Sequence, residues 1–375
     1  MVSMVTVVAM IVRTTVTVVL LLRGYGLVTL GIIYGASEVV ARGVQHYLAR
    51  RLLPTRYFSW RYIDRVLLRE MLFYGMNTFL YALGAVIIYR ASETIVGIYL
   101  GTAEVSQLQV AAAGLLLLSE FVQAFTVAIK PAVSDLDTRD DQTRVKLIAF
   151  LTQKYSLLIL LPAGAFLMIM GREFLTVWVA GRFGDPAVLQ SMAGVLAILT
   201  VGYGLLLSQH SNYLVLSGRG EHRVFGLLTA VEAVLCVSSA VVAVKVLGWG
   251  LRGIAWSNLL PMALVAGVIL PIYFNRKMKI SGWDSLRQVW WPALLGAVPG
   301  MVLIGVWKQL APPASWAGLV AVVAATAGIT VVSAWFLSMD KEEHRRLLSI
   351  LRRNRGRADS ATAETIAPAV RSSTL

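Results

Sequence analysis

Residues 73–131 read FYGMNTFLYALGAVIIYRASETIVGIYLGTAEVSQLQVAAAGLLLLSEFVQAFTVAIKP. Two apolar runs, at about 73–99 and 105–129, are separated by a short polar turn. Each run exceeds the roughly 20 residues that an α-helix needs to cross a bilayer. This part of the chain therefore predicts two membrane-spanning helices, and charged residues lie inside both of them.

The composition extends this prediction to the whole chain. Of its 375 residues 57% are hydrophobic and 14% charged, and the mean hydropathy is +0.71. Soluble domains carry about 25% charged residues. The long apolar runs also differ from the alternating ten-residue segments of membrane β-barrels. We therefore predict an all-α polytopic membrane protein.

Apolar length predicts about ten transmembrane helices. They lie at about 1–22, 26–47, 73–99, 105–129, 147–170, 186–216, 225–246, 254–274, 289–307 and 316–337. Pro131 is expected to end the fourth helix, and residues 135–141 and 171–181 are expected to be connecting loops. Lys154, near the inner end of the fifth helix, is expected to extend its ammonium group to the membrane surface.

Basic residues cluster between alternate predicted helices and in the tail, as positive-inside loops do. This bias predicts that both termini are cytoplasmic in a multi-pass protein of the inner membrane. It also accounts for the net charge of +14 without nucleic-acid binding, which needs a basic patch on one soluble face. The tail, residues 338–375, is predicted to be basic and disordered.

Few residues suggest an enzyme, a cofactor or a metal. Cys236 is the one cysteine, so an intrachain disulfide is excluded. The Asp135-Leu-Asp137 motif resembles the metal-binding Asp-x-Asp of glycosyltransferases, but no nucleotide-binding domain surrounds it, and a solvated loop is the preferred interpretation. His210 has no partner at a metal-ligand spacing. We therefore predict a protein that is not an enzyme and that needs no cofactor.

Charged residues inside the predicted helices are the first functional indication. A charge at the centre of a membrane helix costs about 2.5–3.5 kcal/mol on insertion scales, and such residues usually mark substrate or ion pathways. Arg90 and Glu93 are three apart and share one helical face, and Glu120 lies in the next helix. Structural pairing is the alternative, and it is favoured for Arg42. The set comprises Arg13, Glu38, Arg42, Arg90, Glu93, Glu120, His210 and Glu232.

An arginine in a wet cavity suits a phosphate-bearing substrate, because the guanidinium fork matches phosphate oxygens. We predict Arg90, and secondarily Arg13, as phosphate-binding residues. Glu93 and Glu120 are predicted to act in coupling or gating. These carboxylates could exchange a proton or hold Na⁺, and the sequence leaves both possibilities open.

Several short motifs resemble one family in their order and spacing. They are LREMLFYG at 68–75, IVGIYLG at 95–101, AIKPAVS at 128–134, WVAG at 178–181, LSGR at 216–219 and GWGLRGIA at 248–255. The chain resembles, over about residues 13–274, the polysaccharide-transport branch of the multidrug/oligosaccharidyl-lipid/polysaccharide exporter superfamily. These are the O-antigen and exopolysaccharide flippases, which often have Asp where this chain has Glu93.

The resemblance implies a two-lobe bundle that rocks around a central cationic cavity. The ten helices resemble the fifth to fourteenth of this family, so we expect an incomplete N-terminal lobe. The expected divisions are a remnant of that lobe (1–63), a six-helix C-terminal lobe (64–274), an extra helix pair (275–337) and the tail (338–375). The resemblance also implies transport of a polyprenyl-diphosphate-linked oligosaccharide, and polysaccharide polymerase or export machinery as partners.

Three alternatives remain open. An ion-coupled exporter of drugs or small solutes would transport different cargo. A membrane polymerase or ligase of lipid-linked glycans would need a large outer loop with catalytic Arg or His, and the predicted outer loops are short. An inactive, truncated flippase would keep the fold without the transport.

Overall fold

The computed structural model describes residues 2–52, 64–126, 129–138 and 141–345, and every regular element in these ranges is helical. The prediction of an all-α membrane protein is confirmed. The helices are α1 (Val2–Leu22), α2 (Leu27–Leu52), α3 (Arg65–Tyr99), α4 (Thr102–Thr126), α5 (Ile129–Thr138), α6 (Gln142–Ile169), α7 (Gly171–Val179), α8 (Pro186–Ser208), α9 (His210–Gly218), α10 (His222–Val241), α11 (Gly250–Leu264), α12 (Leu270–Met278), α13 (Gly282–Ser285), α14 (Trp291–Leu310) and α15 (Trp316–Ser333).

Within the described ranges, four π-helical segments of five residues each interrupt or extend these helices. They are Val242–Val246, Val265–Ile269, Leu286–Trp290 and Ala334–Ser338. The second joins α11 to α12 and the third joins α13 to α14, so each of these pairs forms one continuous helical run. The first continues α10 and the fourth continues α15.

Nine helical runs in the described ranges are long and apolar enough to cross a membrane. The predicted second span corresponds to α2, which is a helix of 26 residues but is not among these nine. Its composition is less apolar because it carries Glu38, Arg42, Arg50 and Arg51. The number of apolar spans is thus nine by this criterion, against about ten from the sequence.

The chain divides into two compact units, Met1–Glu70 and Met71–Leu375. In the first, α1 packs against α2. In the second, α8 is the central helix and packs against α4, α6 and α11. Residues 53–63, in the predicted basic inner loop, and 346–375, most of the predicted tail, lie outside the described residues. The four divisions predicted from the sequence remain a prediction.

Glycines bring helices into close contact in the second unit. A Cβ atom on Gly226 of α10 would lie 2.7 Å from the backbone oxygen of Asn77 in α3. Seven residues further along α3, a Cβ atom on Gly84 would lie 2.9 Å from Thr229 of α10. Small residues at helix contacts let backbones approach closely in membranes. These two glycines therefore set how closely α3 approaches α10.

Both predicted loops are largely helical. The described part of the second helix of the pair reaches Thr126, and Pro131 lies within α5, so helical structure is present beyond the expected end at Pro131. Asp135 and Asp137 lie in α5, while residues 139 and 140 of the predicted loop are outside the described residues. Likewise, α7 occupies most of the predicted outer loop at 171–181.

Candidate functional site

The centre of the candidate site is the ion pair between Arg90 and Glu93 on α3. The guanidinium Nη1 lies 3.3 Å from the Glu93 Oε1 atom, as expected for residues three apart on a helix. The Arg90 side chain is 63% exposed and that of Glu93 is 26% exposed. The arginine therefore presents an accessible cation from within an apolar helix, and its neighbouring carboxylate partly neutralises it.

Two other helices hold this turn of α3. The side-chain amide of Asn258 on α11 donates a hydrogen bond to the hydroxyl of Ser92, at 2.9 Å. The ring of Tyr203 on α8 lies 5.3 Å from the ring of Tyr89, between centroids. Because Ser92 and Tyr89 flank the ion pair in sequence, these contacts to α8 and α11 fix the orientation of the turn that carries it.

A cavity of about 180 Å³ lies beside this turn, within the second unit. Tyr89, next to Arg90 in the chain, is part of its wall. Most of the wall is apolar, and a small number of polar groups is typical of ligand pockets. The polar lining residues are Tyr81, Tyr89, Gln123, Gln209, His210, Tyr213, Thr229 and Glu232.

Glu232 is the most unusual of these groups. It is 3% exposed, and its Oε1 atom has no hydrogen-bond partner among the described residues. A buried polar atom without a partner is costly unless water or a ligand satisfies it. The sequence singled out Glu232 and His210 separately as intramembrane residues. It gave no signal that they line the same cavity, because they belong to different helices.

Glu120 and Gln123 are one turn apart on α4 but face different surroundings. The Gln123 side chain lines the cavity and donates to the hydroxyl of Ser119 at 2.8 Å. The Glu120 side chain is exposed, and it is not among the residues that line the cavity. The structure therefore places Gln123, rather than Glu120, at the cavity wall.

Arg13 belongs to the first unit, where it has its own partners. Its Nη1 atom lies 3.6 Å from Glu38 of α2, and its guanidinium lies 4.8 Å from the centre of the Tyr34 ring. Glu38 is also 3.8 Å from Arg42. The three charged residues thus form one group on α1 and α2. Arg13 lies on the wall of an apolar groove of about 600 Å³ between these helices.

The Asp-x-Asp motif is engaged in a structural contact. The carboxylate of Asp137 lies 3.1 Å from Nε of Arg219, which follows α9, and also accepts from Gln142 at 3.4 Å. This pair holds α5 beside the turn between α9 and α10. In the described ranges, no group of three His, Cys, Asp or Glu residues is placed to bind a metal ion.

The N-terminal half of the chain resembles a known protein family. Residues 1–187 match the family model described as polysaccharide biosynthesis protein. The matched residues, just under half of the chain, are thus similar to this polysaccharide biosynthesis family. The match confirms the resemblance to the polysaccharide-transport branch of the exporter superfamily. It covers the Arg90–Glu93 pair, Arg13 and Glu120, and it ends at the start of α8.

Among the curated proteins none matches this chain. A solved structure of a multidrug resistance MATE family transporter of the MOP superfamily, in an outward-facing conformation, is similar over 69% of this chain. The sequences are 14% identical and the TM-score is 0.43. The alignment covers 62% of that transporter's length.

Proposed function

We propose that this protein acts in the transport of a polyprenyl-diphosphate-linked oligosaccharide across the inner membrane, by alternating access and without an enzymatic step. The observation that carries this proposal is the exposed Arg90 guanidinium in an apolar helix, within the residues that match the polysaccharide biosynthesis family. A diphosphate is a matching ligand because its oxygens accept two parallel hydrogen bonds from the guanidinium fork.

The Arg90–Glu93 pair suggests how binding and coupling are linked. Without substrate, Glu93 compensates the charge of Arg90 at 3.3 Å. A diphosphate that binds Arg90 competes with Glu93 for the same N–H groups. The carboxylate that it displaces is then available for a proton or Na⁺. We propose this exchange as the link between substrate binding and ion coupling, with Glu120 as a second coupling or gating residue on α4.

Arg13 is our second phosphate-binding candidate. Its guanidinium already has Glu38 and the Tyr34 ring as partners, so a phosphate group must compete with both. We therefore assign it a weaker contribution than that of Arg90. We further propose cytoplasmic termini, on the basis of the basic loops and tail. Polysaccharide polymerase or export proteins are the proposed partners.

The test uses the protein expressed from its native locus with a carboxyl-terminal tag. Surface polysaccharide and accumulated lipid-linked oligosaccharide are measured for the native form and for Arg90→Lys, Arg90→Ala and Glu93→Gln. We expect Arg90→Ala to abolish export and Arg90→Lys to retain part of it, because lysine keeps the charge and loses the fork. Arg252→Ala, at an exposed arginine of α11, is the matched control and should export normally.

Membrane levels of each variant are compared by immunoblot. Normal glycan export by Arg90→Ala at equal protein levels would refute the role of Arg90. Loss of drug or solute efflux with unchanged glycan export would favour the alternative, an exporter of small molecules. Unchanged glycan and solute export after deletion of the gene would favour an inactive flippase.

A further inference from the structure

Lys154 is buried in the middle of α6, against the expectation that it reaches the membrane surface. The residue is 3% exposed. Its ammonium group donates to both carboxylate oxygens of Glu343, at 2.6 and 2.7 Å, and to the backbone oxygen of Ser338, at 3.1 Å. A lysine ammonium has three donors, so these three acceptors satisfy it completely. This explains how the fold tolerates a buried positive charge at this position.

The partner, Glu343, lies in a segment that folds back after α15. The backbone N–H of Asp340 donates to the Glu343 carboxylate at 3.1 Å. The ring of His344 stands edge-on to that of Trp335, with 4.6 Å between centroids. The hydroxyl of Ser338 donates to the backbone oxygen of Pro292, at the start of α14. Residues 340–344, which we call the latch, are therefore held by the contact of Glu343 with Lys154 of α6 and by the contact of His344 with Trp335.

A second lysine–glutamate pair lies at the other end of α14. Lys308 lies 3.4 Å from the carboxylate of Glu173 in α7, and it also donates to the backbone oxygen of Ile169, the last residue of α6. Lys154 and Ile169 are 15 residues apart on α6, which corresponds to about 22 Å along the helix axis. The hairpin of α14 and α15 is thus attached to α6 at two well-separated points.

The middle of this interface consists of apolar side chains and small residues. Leu157 and Leu158 of α6 pack with Val289, Ala293 and Ala334. Single contacts allow one helix to pivot on another, whereas two polar attachments about 22 Å apart prevent rotation about either one. An apolar crevice of about 320 Å³ lies next to this interface. Trp290 and Met301 form one wall, and α4, α6 and α8 form the opposite wall, so the shape of the crevice depends on the position of α14.

We propose that the latch is a structural part of the transporter: it locks the α14–α15 hairpin to α6, so that hairpin and helix move as one rigid body. The two Lys–Glu pairs are the fastening points. Lys154–Glu343 is the essential one, because loss of Glu343 leaves a buried ammonium group without its counter-charge. This inference rests on the contacts within the second unit and does not depend on the transported substrate.

The experiment measures amide hydrogen exchange by mass spectrometry on the full-length protein in lipid nanodiscs. Glu343→Gln should accelerate exchange in residues 334–345 and at the start of α14 by at least about ten-fold, because breaking one side of a buried pair is strongly unfavourable. Exchange in α11 should not change. Lys341→Gln, at an exposed position beside the latch, is the matched control and should leave all three regions unchanged.

A double-mutant cycle separates the ion pair from general damage. Lys154→Met and Glu343→Leu are made singly and together, and the midpoint of thermal unfolding is measured in detergent. Well-packed apolar groups can replace a buried ion pair without loss, so the double variant should recover at least half of the loss caused by Glu343→Leu. Additive losses would overturn the proposal, as would exchange in Glu343→Gln equal to that in Lys341→Gln. If the Glu343 variants fail to fold, exchange is measured in Lys154→Met alone: faster exchange in residues 334–345 supports the proposal, and native exchange there overturns it.

Discussion

Substitution of Gly226 by alanine tests whether the contact between α3 and α10 positions the Arg90–Glu93 turn. The added Cβ atom would lie 2.7 Å from the backbone oxygen of Asn77 and 3.4 Å from the Cβ atom of Leu80. An ordinary contact needs about 3.4 Å. The helices must therefore separate by several tenths of an ångström, because a backbone oxygen inside α3 cannot rotate away.

Overpacking of this kind costs about 1–3 kcal/mol, which corresponds to a roughly 5- to 150-fold shift in the unfolding equilibrium. We expect Gly226→Ala to lose this amount in reversible unfolding by sodium dodecyl sulfate in mixed micelles. Export should fall as well, since α3 carries Arg90 and Glu93. The lost free energy of unfolding and the lost export are measured on the same preparations.

Gly194→Ala on α8 is the matched control. A Cβ atom there meets no atom within 4 Å, and alanine favours a helix over glycine by up to about 1 kcal/mol. The control should therefore be as stable as the native protein or slightly more stable. Equal stability of Gly226→Ala and Gly194→Ala would show that α3 is not held against α10 as described.

Three further substitutions test the packing and the ion pairs. Leu196→Ala removes a fully buried side chain of α8 and should cost about 2–5 kcal/mol in the same unfolding assay. Gly300→Leu should force α14 and α15 apart, since Thr330 packs directly against that glycine. The thermal unfolding midpoint of this variant should be lower, and its export should fall in proportion to the amount of protein in the membrane. Asp137→Asn breaks the partly exposed pair with Arg219 and should cost about 0.2–1 kcal/mol without changing export, whereas abolished export at normal protein levels would indicate a catalytic role for the Asp-x-Asp motif.

Helix positions were the most predictable feature of this chain. Apolar length alone located the two helices of residues 73–131, because backbone groups in lipid must be satisfied within each helix. Local spacing also predicted that Arg90 and Glu93 are neighbours, since positions three apart share a helical face. The α5 helix was missed because it is short, polar on one side and contains Pro131, all features that sequence rules associate with loops.

The polar cavity was predictable only in part. Its residues His210 and Glu232 were visible as polar groups in apolar runs, yet they lie on different helices, α9 and α10. Periodicity describes one helix at a time, so it cannot state which faces of separate helices meet. The same limit applies to Lys154, whose partner Glu343 is 189 residues away. Position near a helix end suggested surface access, whereas tertiary contact determines the outcome.

The distance in sequence between Lys154 and Glu343 has a consequence for biosynthesis. Ribosomes add about 5–20 residues per second, so the counter-charge is made roughly 10–40 s after the lysine. During this interval α6 enters the membrane with an ammonium group that has no carboxylate partner from the latch. A long side chain can meanwhile reach the lipid headgroups. Newly made α6 should therefore hold Lys154 near the headgroups at first, and the buried contact with Glu343 should form only after residues 340–344 have been made.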